Sequence, residues 1–283
     1  MTLYRLRDSA PPLVAPTIVA AFDGWIDAGG ASTATAERLA DGADLVATFD
    51  ADVLYDYRAR RPTLDIVDGR LSELSWPELS LRKARVGERD VLVLTGAEPD
   101  FHWQELADDI VELAGRLGVA EWISLGAIPA AVPHTRPVPI IGSASGTGLL
   151  RGGVLPGPEG RLRVPSAAIS VLEMAVARAG LPALGYYAQV PHYVSGPYAL
   201  AAVELLRALG RHLDAEIPEG SLGDDARQLR MQLDAATAQD ETTRKYVERL
   251  EAMVDEARLP AGDELISEIE RFLRERGEGS QRP

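Results

Sequence analysis

Short, nearly continuous apolar runs alternate with amphipathic stretches over the first three quarters of the chain. Such runs are typical of strands that are covered on both faces of a sheet. The predicted buried strands are 13–22, 45–49, 91–95, 122–125 and 184–190, and the predicted helices are 31–39, 101–117, 166–179 and 197–213. This alternation predicts an α/β domain with a largely parallel sheet.

One segment between the second and third buried runs follows a different pattern. The stretch 50–62 reads DADVLYDYRARRP and mixes acids, tyrosines and arginines. Shorter apolar runs at 64–67 and 79–86 predict antiparallel strands, and Asp68-Gly69 predicts a tight turn between them. We interpret the aromatic and arginine residues as a packed, salt-bridged protein surface.

The last quarter of the chain has a helical pattern of its own. Apolar residues recur at alternating steps of four and three from Leu222 to Ala257, with Asp240 as the one charged member of this heptad seam. The sequence 259–262, LPAG, ends the pattern. A second, shorter apolar stripe then follows, made of Leu265, Ile266, Ile269, Phe272 and Leu273. We expect an antiparallel helical hairpin at 214–283 attached to an α/β core domain at 1–213.

Composition excludes several classes of protein. The net charge of −14, of which the last seventy residues contribute −8, disfavours nucleic acid and anionic membranes as partners. The chain has no cysteine, which excludes disulfides, a thiol nucleophile and cysteine-ligated zinc and suits a reducing, cytoplasmic environment. Neither a secretory signal nor a membrane-spanning apolar stretch is predicted.

The loop after the first buried strand is the first candidate site. It reads FDGWIDAGG and places Asp23, Trp25, Asp27 and Gly29 before a helix. Glycines permit close backbone approach, and a helix N-terminus can hold an anion. Alternatively, the glycines make a tight turn and Asp27 caps the helix.

The loop after the strand at 122–125 carries the strongest pair, His134 and Arg136, between three prolines. The strand is expected to end in a turn at Gly126 and Pro129. Histidine can act as a general acid or base, and arginine can clamp a carboxylate or phosphate. The alternative is structural, with Arg136 paired to a nearby acid and His134 bonded to backbone. His192 follows another strand in a similar Val-Pro-His context, but two histidines do not specify a metal site, and none is predicted.

Two further strand-end clusters complete the candidates. Ser143 and Ser145 lie in a Ser/Gly stretch that could bind an anion through backbone N–H groups, or could be a flexible loop. Glu98 and Asp100 follow the strand at 91–95, where acids commonly start helices. We therefore treat these four residues as members of a ligand or partner site rather than as catalytic residues.

Five ordered motifs together resemble a known family. They are FDGWIDAGG, YDYRARRP, GAEPDFHW, GAIPAAVPHTRP and QVPHY, and they are similar to the bacterial, actinobacterial-type branch of the proteasome assembly chaperone 2 family over residues 13–213. The resemblance implies a three-layer α/β/α sandwich like the phosphorylase/hydrolase folds, homo-oligomers with a trimer favoured, and binding to proteasome subunits. It supplies no catalytic residues and no cofactor.

We therefore expect a cytoplasmic protein-binding, assembly-chaperone-like molecule rather than an enzyme. The alternative is a phosphorylase-, hydrolase- or ligase-like enzyme that acts on an anionic small molecule at the strand-end loops. A deep polar pocket at these loops would favour the enzyme, and an open apolar surface would favour the chaperone.

Overall fold

The computed structural model describes residues 2–7 and 13–257 as a mixed α/β protein. Its strands are β1 (Tyr4–Leu6), β2 (Thr17–Asp23), β3 (Asp44–Phe49), β4 (Thr63–Val67), β5 (Arg70–Ser75), β6 (Leu79–Val86), β7 (Arg89–Ala97), β8 (Glu121–Ala130), β9 (Ile140–Ala144), β10 (Leu155–Pro156) and β11 (Ala183–Pro191). Its helices are α1 (Ala31–Ala40), α2 (Ala51–Leu54), α3 (Trp103–Arg116), α4 (Ala168–Arg178), α5 (Ala199–Leu213), α6 (Ser221–Gln239) and α7 (Glu241–Ala257), and a 3₁₀ turn (Ala28–Gly30) precedes α1. None of the helices in these ranges is both long and apolar enough to cross a bilayer.

The main sheet has nine strands in the order β1-β3-β6-β7-β2-β8-β11-β9-β10. Its centre, β7-β2-β8-β11, is parallel, whereas β1, β3 and β6 on one side and β9 on the other are antiparallel to their inner neighbours. The expectation of a largely parallel sheet is therefore right only for the central four strands. These are the strands that read as continuous apolar runs, because helices cover both of their faces.

Alternating residues of the central strands fill two separate cores. Ile18, Leu92 and Trp122 pack on one face with α3 and α4. Val19 and Ile123, their neighbours in sequence, pack on the other face with α1 and α5. This period of two places one helical layer on each side of the sheet, and the predicted α/β/α sandwich is confirmed.

Several boundaries differ from the sequence prediction. The first buried strand begins at Thr17 rather than Leu13, and the short edge strand β1 was not predicted. The predicted turn at Gly126 and Pro129 is wrong, since β8 continues through both residues to Ala130. It does so because β11 pairs with it along the whole length, which holds the backbone extended despite the proline.

The irregular segment folds into a separate two-stranded hairpin, β4–β5. Asp68 and Gly69 have positive φ values of 51° and 75°, as a tight hairpin turn requires. The turn is therefore where it was predicted, but its second strand is β5 and not the run at 79–86, which joins the main sheet as β6. The sequence of β5, RLSELS, is too polar to stand out as a strand.

The helical extension reverses earlier than predicted. Asp240 is not a member of a continuous seam but ends α6 and accepts hydrogen bonds from Thr242 N and Thr243 N at the start of α7. Arg230 of α6 donates to the carbonyl of His134, and Glu251 of α7 accepts from the hydroxyl of Thr135, the next residue. In a continuous helix, Arg230 and Glu251 would be about 30 Å apart. The chain therefore folds back at Asp240.

The seam residues still pack against the α/β body. Ala226 is buried, and Leu229 and Leu233 pack on the core formed with α5. Val247 and Leu250 of α7 are also buried. The break predicted at 259–262 and the second apolar stripe lie outside the described residues.

Candidate functional site

The carboxyl ends of β2, β7, β8 and β11 meet at one edge of the sheet, which we call the carboxyl edge. The strands are parallel neighbours, and an isolated bridge between Asp27 and Ala127 ties the loop after β2 to β8. The loops with Asp23, Glu98, His134 and His192 therefore leave the same edge, as expected for an α/β sheet. Their side chains nevertheless divide into two groups with different partners.

Glu98 connects the loop after β2 to the start of α4. One carboxylate oxygen accepts from Trp25 N at 2.9 Å and the other from Ala168 N, the first residue of α4, at 2.7 Å. The carboxylate lies so close to Gly24 that a Cβ there would be 2.1 Å from Oε2. The glycine is therefore needed for close approach, and Glu98 acts as an N-cap supplied from another segment.

The other acids on this half of the edge also bind the chain itself. Asp27 accepts from Ser32 N at 2.8 Å and from the hydroxyls of Ser32 and Thr33, so it caps α1. Asp100 accepts from Asp56 N at 2.9 Å. Asp23 is exposed and lies 3.7 Å from a guanidinium nitrogen of Arg60.

Gly29 completes the turn before α1. It has a φ of 64°, and its carbonyl accepts from Tyr198 N at 2.8 Å. A Cβ at this position would lie 2.7 Å from the Cβ of Tyr198. This glycine therefore serves the contact between the loop and the start of α5.

His134 is buried on the other half of the carboxyl edge. The Tyr193 hydroxyl accepts from the backbone N–H of His134 at 2.8 Å and shares a second hydrogen bond with Nδ1 at 2.7 Å, and the two rings meet edge to face. Nε2 lies 3.3 Å from an Asp234 oxygen of α6, without the alignment of a hydrogen bond. Burial lowers the pKa of His134, and Asp234 opposes this only in part.

Arg136 binds two acids of α7. Its guanidinium donates to both oxygens of Asp255, at 3.0 and 2.7 Å, and to Glu251 at 3.2 Å. The bond to Asp255 holds the pKa of Arg136 above its usual range. Thr135 adds a hydrogen bond to Glu251, so consecutive loop residues contact the same face of α7.

His192 makes a third contact with the helical extension. Nδ1 lies 2.9 Å from the carbonyl of Ala130, and Nε2 lies 2.8 Å from the Tyr246 hydroxyl of α7. Arg230 of α6 donates to the carbonyls of His134 and Thr135. The loops after β8 and β11 are thus the docking surface for α6 and α7.

The two serines lie away from these loops, on and beside β9. Ser143 donates to Glu173 of α4 at 3.1 Å, and Ser145 accepts from Ala183 N at 3.1 Å. Glu173 was not among the sequence candidates. Its second oxygen is buried with no hydrogen-bond partner, and burial raises the pKa of Glu173 and that of Tyr187 beside it.

Large apolar side chains are exposed at the β2–β7 half of the carboxyl edge. Trp25 is 68% exposed and Phe101 is 49% exposed. The β4–β5 hairpin leaves this same edge, because β6, which follows it, starts opposite Gly96 near the end of β7. Its exposed apolar residues are Leu64, Ile66, Val67, Leu71, Leu74 and Trp76. In the sequence, the apolar run at 64–67 and the Asp-Gly turn indicated part of the hairpin, and Trp25 was a candidate site residue.

The strand-end loops bind mainly to other parts of the same chain. Most polar groups of the loops bind backbone or the chain's own helices, and large apolar side chains are exposed beside the loops of the β2–β7 half. Within the described ranges, no group of three or more potential ligands is placed to hold a metal ion. An α/β/α binding protein with a docked helical extension is the class that the fold and this edge define.

The chain belongs to the PAC2 family, whose sequence model matches residues 21–237. A proteasome-assembly chaperone homologue of Mycobacterium tuberculosis is 35% identical, with 82% of this chain and 99% of that chain covered and a TM-score of 0.73. A PAC2 family protein from Streptomyces avermitilis MA gives the same values. A protein of unknown function from Corynebacterium glutamicum is 32% identical over 89% of this chain and 97% of that chain, with a TM-score of 0.84. No curated protein matches.

Proposed function

We propose that this protein is an assembly-chaperone-like protein that binds subunits of the proteasome in the cytoplasm. The observation that carries the proposal is its membership of the PAC2 family, together with its 35% identity to a proteasome-assembly chaperone homologue. The carboxyl edge supports it, because His134 is buried beside Asp234 of α6 and Arg136 is paired with Asp255 of α7. We therefore do not propose the enzymatic alternative.

The proposed partner surface is the β4–β5 hairpin together with Trp25. The hairpin pairs Leu64 with Leu74 and Ile66 with Leu71, so apolar residues face one another across it. A two-stranded hairpin alone is marginally stable in water, and a partner that covers this surface would stabilise it. Of the predicted site residues, Asp23 and Trp25 are exposed on the half of the carboxyl edge from which the hairpin leaves.

The helical extension has a different role in the proposal. We propose that residues 214–283 form a unit distinct from the core at 1–213 and that this unit stiffens the loops after β8 and β11. We further propose that the protein works as a homo-oligomer, and a trimer is the state that the family resemblance favours. Light scattering coupled to gel filtration measures the oligomeric state directly.

The binding test uses the full chain and the α-type and β-type proteasome subunits of its own host. Leu71→Asp places a charge at a position that is 74% exposed, so the fold should be retained while binding weakens at least about tenfold. Leu155→Asp is the matched control, since Leu155 is 70% exposed at the opposite end of the main sheet. Biolayer interferometry and native electrophoresis of assembling subunits are the readouts.

The outcomes distinguish a failure of the proposed function from a failure of the proposed hairpin surface. Binding that is lost with Leu71→Asp and kept with Leu155→Asp supports both. Binding that neither substitution weakens overturns the hairpin surface and leaves the function standing. No binding of the unsubstituted protein to either subunit type, with no effect on their assembly, overturns the proposed function.

A further inference from the structure

The two faces of the β4–β5 hairpin differ in polarity. Leu64 lies opposite Leu74, and Ile66 lies opposite Leu71. Because successive side chains of a strand point to opposite faces, Leu64 and Ile66 share one face with their two partners. All four side chains are between 43% and 74% exposed. This face of the hairpin is therefore apolar and open to solvent.

The opposite face of the hairpin brings two like charges together. Asp65 lies directly across from Glu73, and like charges at such positions destabilise a strand pair. Among the described residues, neither carboxylate forms an ion pair. The other charges of the hairpin, Asp68 and Arg70, lie at its turn. A cation supplied from outside the hairpin would therefore stabilise this face.

A second exposed segment has the complementary pattern. Residues 161–165 read RLRVP and precede α4, in neither a helix nor a strand. Leu162 is 70% exposed and Val164 is 65% exposed. In the part of the chain that the structure describes, the backbone of this segment makes no hydrogen bond and its two arginines form no ion pair. Val164 precedes a proline, which favours the extended backbone of a strand.

The free edge of β4 is better suited to a third strand than the free edge of β5. The hairpin is a two-stranded sheet of its own, so each strand has one edge without a backbone partner. In β5, Ser72 is an extra residue that interrupts the register, and Arg70 adds a positive charge. Bulges and charges of this kind disfavour pairing with a further strand. β4 has no such interruption, and its one charged side chain is Asp65.

We propose that residues 161–165 of one copy of this protein pair antiparallel with β4 of a second copy, with Arg163 opposite Asp65. Pairing of an extended segment with an open sheet edge is a common mode of recognition. In this register the alternation of the segment places Leu162 and Val164 on the apolar face.

The antiparallel direction follows from the ends of the segment. It places Arg161 towards Asp68 at the turn of the hairpin, whereas the parallel direction places Arg161 towards Arg61, which precedes β4. It also places Pro165 at the open end of the hairpin, where its missing N–H costs no bond within the ladder.

The contact joins two different surfaces of the same chain. The hairpin sheet has only two strands in the structure, so its own chain does not supply the third. Each copy can give its segment to one neighbour and receive a segment from another, and such heterologous contacts form a ring when the rotation closes. The inference rests on the homo-oligomer proposed above. It adds two apolar side chains of a neighbouring copy to the face proposed for the proteasome subunit.

A charge exchange across the contact tests the pairing. Asp65→Arg and Arg163→Asp should each raise the dissociation constant of the oligomer at least about tenfold, because like charges then face one another. Asp65→Arg also ends the repulsion with Glu73, so it should not unfold the hairpin. The double variant should return the dissociation constant to within about threefold of that of the unsubstituted protein. Asp225→Arg, at an exposed position on α6, is the control and should change nothing.

Sedimentation velocity over a range of protein concentrations measures these dissociation constants. An oligomer that neither single substitution weakens, or that the double variant fails to restore, overturns this contact and leaves the homo-oligomer standing. An unsubstituted protein that sediments as a monomer overturns both. Binding to the proteasome subunits is measured separately, so neither result bears on the proposed partner.

Crosslinking locates the added strand. The protein has no cysteine, so Ile66→Cys and Leu162→Cys in one chain introduce the only two thiols. Side chains directly opposite one another have Cβ atoms about 5 Å apart, so a short bismaleimide should join these thiols between chains. Ile66→Cys with Met231→Cys is the control, because Met231 is 66% exposed on α6. Crosslinks only within one chain, or a yield between chains no higher than the control, overturn the proposal.

Discussion

The hydroxyl of Tyr193 holds His134 by two hydrogen bonds, one from the backbone N–H at 2.8 Å and one to Nδ1 at 2.7 Å. In the tautomer in which Nδ1 accepts from the hydroxyl, the proton of the neutral ring lies on Nε2, which faces Asp234 of α6. The loop that carries Arg136 is thereby fixed between β11 and the helical extension. The geometry of this loop therefore depends on the contact between His134 and Tyr193, which are 59 positions apart in the sequence.

Tyr193→Phe removes both hydrogen bonds while keeping the ring. The His134 N–H then lies in a buried site without its acceptor, so we expect the free energy of unfolding to fall by about 1 to 3 kcal/mol. Urea denaturation measures this free energy of unfolding. Tyr246→Phe is the control, and it should have a smaller effect because Tyr246 is 37% exposed. Equal losses in the two variants would contradict the central role of Tyr193.

The stability of the protein should depend on the charge of His134. Its pKa is lowered in the folded state, mainly by burial, so the unfolded chain binds the proton more readily. Stability is therefore greatest above the unfolded pKa of about 6.5 and is lost as the pH falls from there through the folded pKa. Arg230 and Glu251 also act on the ring, in opposite directions.

Melting temperatures measured between pH 8 and pH 5 check this dependence. The loss on acidification should be smaller in His134→Gln than in the unsubstituted protein, because glutamine does not titrate. His192→Gln is the control, since His192 is not buried. If His134→Gln shows the same pH dependence as the unsubstituted protein, another group is responsible.

Glu98→Gln should remove one of the two hydrogen bonds that the Glu98 carboxylate accepts. A glutamine retains one acceptor oxygen, so either Trp25 N or Ala168 N loses its partner. We expect a loss of roughly 1.5 to 2 kcal/mol, the lower part of the range for a charged acceptor, because the site is partly exposed. Hydrogen exchange at these two amides shows which bond is lost. Unchanged exchange at both would contradict the geometry.

Glu173→Gln should stabilise the protein at high pH. Burial raises the pKa of Glu173, so the folded state holds its proton while the unfolded chain releases it near pH 4.5. Rising pH therefore destabilises the folded state across the interval between the two pKa values. Thermal melts at pH 8 should show a gain for Glu173→Gln that shrinks near pH 4. Glu248→Gln, at an exposed position on α7, should show neither effect.

Asp240→Ala should loosen the start of α7. The side chain accepts from Thr242 N, Thr243 N and the Thr243 hydroxyl, and these bonds lower the pKa of Asp240. We expect faster hydrogen exchange at the two threonine amides and a lower melting temperature. Asp240→Asn keeps an acceptor oxygen, so its exchange rates and melting temperature should lie between those of Asp240→Ala and those of the unsubstituted protein. Identical exchange in all three proteins would show that the cap is dispensable.

The central strands and the helices that cover them were predictable because burial on both faces leaves an uninterrupted apolar run. The partners of His134 and Arg136 were not, since Asp234 and Asp255 are about a hundred residues away along the chain. Their contacts depend on where the helical extension folds back. The structural alternatives considered for Asp27 and Arg136, capping and pairing with a nearby acid, describe the contacts that both residues make.

The reversal itself had a local signal that the heptad pattern masked. Asp240 continues the spacing of the seam, yet an aspartate followed by Glu241 is also a common helix start. Period alone cannot distinguish a charged seam position from a cap. Glu173 had no local signal, because its neighbours Ser124, Ser143 and Tyr187 come from three different strands, β8, β9 and β11.

The borders of the main sheet bear on how this protein could misassemble. Its outermost strands, β1 and β10, have only three and two residues, which leaves little backbone for another chain to pair with. The β4–β5 hairpin instead has two unpaired borders of five and six residues, and every residue in it is exposed. Strand exchange between molecules, and fibril growth after partial unfolding, should therefore begin at residues 63–75 and not at the main sheet.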